Sequence, residues 1–134
     1  MLRRIIRSNS VFTFTVLSLL VCGSLGCSGV GKVSDSDPAQ AKELATKILD
    51  TWKSGAAMGS LQQQSPPIYA VIDLWKDGYI LRSYEIIGDS EMLGPNVRLQ
   101  VRFRCEDKNG KKVDRTFKYL VTTTPAITFI KEDS

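Results

Sequence analysis

In a chain of 134 residues, three cysteines, four tyrosines and fourteen carboxylates must supply any chemistry, because there is no histidine. The commonest general base and the commonest metal ligand are therefore both missing. No two carboxylates sit at a spacing that demands acid–base work, and without a histidine or a cysteine pair no metal or other cofactor is expected. Gly29-Val30-Gly31-Lys32 has neither the glycine spacing nor the preceding strand of a phosphate loop. Cys105 ends an alternating run on its apolar side, which reads as a buried thiol with no base to activate it. An enzyme is not expected.

The other two cysteines belong to a different kind of segment. Arg3, Arg4 and Arg7 precede the uncharged run Val11–Cys22. Twelve helical residues rise about 18 Å, against a hydrocarbon core of roughly 30 Å, so the run is too short to span a bilayer permanently. A basic start, a short apolar stretch and then small residues is the build of an export leader. Its end, Gly23-Ser24-Leu25-Gly26-Cys27-Ser28, resembles the lipobox of bacterial lipoproteins, with Gly26 as the small residue before the cysteine; Ser24 departs from the usual leucine.

That resemblance implies residues 1–26 as a signal peptide and Cys27 as the lipid attachment site. It also implies palmitate-type acyl chains as a membrane anchor. Ser28 lacks the aspartate that retains many lipoproteins at the inner membrane, so the outer membrane, facing the periplasm, is expected.

The charge then changes meaning. The whole chain carries +4 with a pI near 9.1. Without Arg3, Arg4 and Arg7, 15 basic residues face 14 acidic ones, a net +1. A near-neutral domain offers no electrostatic case for nucleic acid. The expected partners are the membrane, through the acyl chains on Cys27, and a protein of the envelope.

Residues 27–36 read as lipidated cysteine and flexible tether, and 37–134 as one α+β domain. Asp37 caps a helix, Pro38 fits its first position and Gln40 completes a capping box. Ala41, Leu44, Ala45, Ile48, Leu49 and Trp52 form one helical stripe, and Gly55 ends it. Residues 56–67 read as loop, and 68–75 fit a short helix or a strand followed by a turn at Asp73.

From Tyr79 the period is two. Tyr79–Ile87 is a strand and Gly88–Asn96 a long turn. Val97, Leu99, Val101, Phe103 and Cys105 then alternate with charged or polar residues. The next strand carries Val113, Phe117, Tyr119 and Val121. A two-residue Asn109-Gly110 loop would set Val101 against Lys118, whereas a Lys108-Asn109-Gly110 loop pairs Val101 with Phe117 and Leu99 with Tyr119. A slip of one residue turns every side chain over, so the second register is expected, with Gly110 left-handed. Ala126–Lys131 is the last strand, and Thr124-Pro125 marks a bend or an edge.

A helix followed by about four antiparallel strands resembles the cystatin-like folds, nuclear transport factor 2-like domains among them. The set Pro66-Pro67-Ile68, Asp73, Trp75, Gly78, Leu81 and Tyr84-Glu85-Ile86 is also similar to that of small uncharacterised bacterial lipoproteins. The first resemblance implies a helix lying across a curved sheet and, as in the enzymatic members of that group, an Asp, His or Tyr in a conical cavity between them. Asp73, Asp77, Tyr84 and Tyr119 are the residues comparable to those, though turn or cap positions suit the aspartates better, and core positions with hydroxyls at the rim suit the tyrosines. A deep pocket lined by Trp52, Trp75, Tyr84 and Tyr119 would favour a cavity domain, and a filled core a surface-binding one. Arg98, Arg102 and Arg104 fall on the outer face as a candidate binding stripe, with Asp114 and Glu106 placed to neutralise it. The function expected is a non-catalytic binding or scaffold domain on a lipid anchor. The alternative is a cavity domain that binds or transforms a small apolar ligand.

Overall fold

Asp37 sets the start of the first helix. Its carboxylate accepts from the Ala39 and Gln40 N–H groups at 2.7 and 3.1 Å, with Pro38 next to it where no N–H is needed. The computed structural model describes residues 35–133, so the leader and Cys27 lie outside the described residues. Helix α1 (Pro38–Lys53) buries Ala41, Leu44, Ala45, Ile48, Leu49 and Trp52, the six residues of the expected stripe. Gly55, at φ +85°, closes it in the left-handed conformation that glycine adopts without steric cost. The capping box is only half formed. The Asp37 N–H donates to Thr123 Oγ1 at 3.4 Å, so that group is satisfied from across the fold.

Strands β1 (Ile68–Val71), β2 (Ile80–Leu93), β3 (Asn96–Glu106), β4 (Lys112–Thr122) and β5 (Ile127–Lys131) form one open sheet in the order β1-β5-β4-β3-β2. All neighbours are antiparallel except β1 and β5, which run parallel. Helix α1 packs on β2, β3 and β4 from one side, giving two layers with the core between them.

The β3–β4 register pairs Val97 with Val121, Leu99 with Tyr119, Val101 with Phe117 and Cys105 with Val113, as the alternation requires. Gly110 sits at φ +79° and donates its N–H to Asp107 O at 3.0 Å. Asp107 Oδ1 also accepts from the Asn109 and Lys111 N–H groups, so a side chain the register argument did not use fixes the turn.

Ile68–Val71 is a strand, one of the two readings of that stretch, and it brings the sheet to five strands; Asp73–Lys76 after it is a single helical turn (α2). Three expectations are corrected. Residues 56–67 are not plain loop: Met58–Gln63 forms a 3-10 helix that buries Leu61. Gly88–Asn96 is not a long turn either. β2 continues to Leu93, and Gly88, Asp89 and Ser90 bulge opposite Leu99, leaving Gly94-Pro95 as the turn. Finally, Ser36, at the end of the expected tether, is 3% exposed. Its N–H donates to Pro95 O and its Oγ accepts from the Thr123 N–H, both at 2.9 Å.

Candidate functional site

Strand alternation sends Arg98, Gln100, Arg102, Arg104 and Glu106 to the face of the sheet away from α1, and no element among the described residues covers that face. The three arginines do not stand free on it. Arg98 makes a two-point contact with Glu132, one arm through Nε to Oε2 at 2.7 Å and the other from Nη2 to Oε1, and reaches Glu91 at 3.0 Å. Arg102 clamps Asp114, Nε to Oδ1 at 3.0 Å and Nη2 to Oδ2 at 2.8 Å. Arg104 stands directly opposite Asp114 in register, yet its Nε is 3.9 Å from that carboxylate. Asp114 therefore bonds diagonally, which leaves Arg104, 60% exposed at its side chain, as the loosest cation of the stripe.

These contacts set the charge states. Hydrogen bonds from Arg102, Arg98 and Arg82 hold the carboxyls of Asp114, Glu132 and Glu106, respectively, below the ordinary carboxylate range. The same bonds raise the guanidinium groups of Arg98 and Arg102. Groups fixed in this way are poor proton carriers but good recognition elements, since both partners remain charged across the neutral range.

Residue spacing does not point to Glu91 and Glu132 as partners of Arg98. Glu132 lies just past the end of β5, and only the pairing order of the strands reveals its approach. Lys131, equally hidden, places Nζ 4.5 Å above the Phe117 ring and 3.9 Å from Asp73.

The aromatic candidates lie on the opposite, inner face. Trp52 and Trp75 stack with centroids 5.7 Å apart. Phe103 meets Trp52 edge-on at 5.6 Å and Tyr119 at 5.8 Å, and Tyr119 stacks on Phe129 at 4.4 Å. The indole N–H groups are satisfied by Tyr79 O and Ala56 O. Trp52, Trp75 and Tyr119 thus belong to one packed layer, ring against ring. Tyr84 stands apart at the helix edge, where its hydroxyl donates to Asp50 Oδ1 at 2.7 Å. Burial, and then that bond, push the Tyr84 phenol up to about 12.

Asp73 begins α2 and Asp77 ends it, as turn residues do. Among the described residues no three histidine, cysteine or acidic side chains group to hold a metal, and no helix is long and apolar enough to cross a membrane.

Cys105 is 2% exposed, and burial pushes its thiol from 9.0 to about 11. The folded state thus keeps the thiol proton to higher pH than the unfolded chain. This contribution to stability is constant below about pH 9 and falls as pH rises towards 11. A maleimide should accordingly fail to label Cys105 in native protein at pH 8, and label it fully in urea. Rapid native labelling would mean that the strand end opens readily.

Compared with protein-family models, with curated proteins and with solved structures, the chain matches none of them.

Proposed function

We propose that this is a lipid-anchored protein of a bacterial cell envelope, acylated on Cys27 and held on the periplasmic side of the outer membrane. Its α+β domain acts as a non-catalytic binding or scaffold module. The anchor rests on the leader, with Gly26-Cys27 directly behind a basic and then apolar segment.

The observation that carries the reading of the domain is the contrast between its two sheet faces. The inner face is filled by aromatic side chains in mutual contact, while the outer face presents ion-paired arginines and apolar side chains to whatever meets it. A module of this kind works by surface recognition, and an envelope protein is the partner its fixed charges and exposed apolar groups suit. The packed inner layer weighs against the alternative of a cavity for a small apolar ligand.

The test is membrane fractionation with a clickable fatty acid, combined with in-cell crosslinking and pull-down, on wild type and Cys27→Ser. Wild type should incorporate the fatty acid, stay with the membranes and capture a defined envelope partner. Cys27→Ser should be unlabelled and unprocessed. If wild type takes up no fatty acid, the anchor is wrong. If labelled wild type captures no specific partner, the binding role is wrong.

A further inference from the structure

The place where the tether joins the fold is fixed by Ser36, whose N–H bonds to Pro95 O in the β2–β3 hairpin turn. Beside that turn lie Met92, 43% exposed, and Leu93, 40% exposed. The two side chains point to opposite faces of the hairpin, so the tip is apolar on both sides.

The end row of the outer face continues across the sheet from this tip. Leu93 faces Asn96, Asn96 accepts from Thr122 Oγ1 at 2.7 Å, Thr122 faces Thr128, and Thr128 faces Tyr69, which is 47% exposed. That row carries no charge, and it has an apolar or amphipathic side chain at each end.

Chain length says what such an edge meets. Cys27 precedes Ser36 by nine residues, and an extended chain spans at most about 3.6 Å per residue, so an acylated Cys27 holds Ser36 within roughly 30 Å of the lipid. The segment Gly88–Val97 contains Asp89 and Glu91 and no lysine or arginine. Anionic headgroups would therefore not attract it, and its contact with a bilayer would depend on apolar burial. Tyrosine at the far end suits the same boundary, with its ring in the interface and its hydroxyl in water.

Resting on the lipid anchor proposed above, we infer that the β2–β3 hairpin tip, through Met92 and Leu93, and Tyr69 at the other end of the same row seat the domain edge-on in the headgroup region of the anchoring bilayer. This leaves the hairpin between β3 and β4, with Lys112, directed away from the membrane.

The experiment uses the full, lipidated chain in vesicles of phosphatidylcholine, alone or mixed with anionic phosphatidylglycerol, with an environment-sensitive fluorophore on Leu93→Cys, Tyr69→Cys or Lys112→Cys. Native Cys105 is buried and stays unlabelled. The expected result is blue-shifted emission at 93 and 69, quenched at least about fivefold more strongly by nitroxide-bearing lipids than the probe at 112, whatever the fraction of anionic lipid. A probe at 93 as water-exposed as the one at 112, in protein that floats with the vesicles, overturns this inference alone. Protein that does not float overturns the anchor and the seating together. A blue shift at 93 that needs no vesicles and grows with protein concentration identifies a second copy of the chain as the occupant, and also overturns the inference.

Discussion

Phe103→Ala should destabilise the domain by about 3–5 kcal/mol in urea denaturation followed by tryptophan emission. The size follows from position. Phe103 is wholly buried at the centre of β3 and touches the rings of Trp52, Phe117 and Tyr119 at 5.6, 6.3 and 5.8 Å. Its neighbours come from the helix and from the adjoining strand, so they cannot all move in to fill the space. The truncation leaves most of its volume as a void. A loss below about 1 kcal/mol would mean that the layer is already loosely filled. That result would revive the reading of the domain as a container for an apolar ligand.

The second large effect is expected at Trp52, with Trp52→Ala also costing about 3–5 kcal/mol. Here the loss has two parts. The ring leaves its stack with Trp75 and its edge contact with Phe103, and Tyr79 O loses the indole N–H that reaches it at 3.0 Å. Trp52→Phe separates them, since it keeps much of the packing and removes the hydrogen bond. It should fall about 1–3 kcal/mol short of wild type. Because Trp52 and Phe103 are in contact, their double substitution should cost less than the two singles added together. The coupling measures how far one void serves both, on a scale of about 0.5–3 kcal/mol. Strict additivity would show that the helix does not press on β3 as described.

Residue spacing alone marks both positions as core. Trp52 completes a stripe at helical spacing, and Phe103 sits in the strongest alternation of the chain. The β3–β4 register follows from the same alternation, because the competing loop length would set lysine against valine. Where the pattern weakens, so does its power to discriminate. Ile68–Val71 is four residues long and adjoins Pro67, and a strand that short gives the same apolar signal as one turn of helix. Gly88, Asp89 and Ser90 are turn-type residues, yet they form a bulge within a strand, since local chemistry does not distinguish a bulge from a turn.

The site divides in the same way. Parity gives the facing of Arg98, Arg102 and Arg104, and register gives the opposition of Arg104 and Asp114. Neither says which carboxylate each arginine holds. Asp114 bonds diagonally to Arg102, and Glu132 reaches Arg98 only because β5 lies beside β4. The ambiguity between helix and strand hides the exposed pair Tyr69 and Val71, although a strand there puts both on the outer face.

The parallel pairing of β1 with β5 joins Ile68 to Ile127, fifty-nine positions later in the chain. β5 lies between β1 and β4, so an interior member of the sheet is the last of the five to be synthesised. As the chain emerges, β2, β3 and β4 can pair with one another once Thr122 is out, while β4 still lacks β5 along its other side. β1 has no strand partner until the same final strand arrives. Closing so long a loop is slow compared with forming local hairpins, and β1 remains a bare edge with an exposed tyrosine and valine in the meantime. β1 and the open side of β4 thus wait on the same last strand, and Ile127–Lys131 closes the sheet from two directions at once.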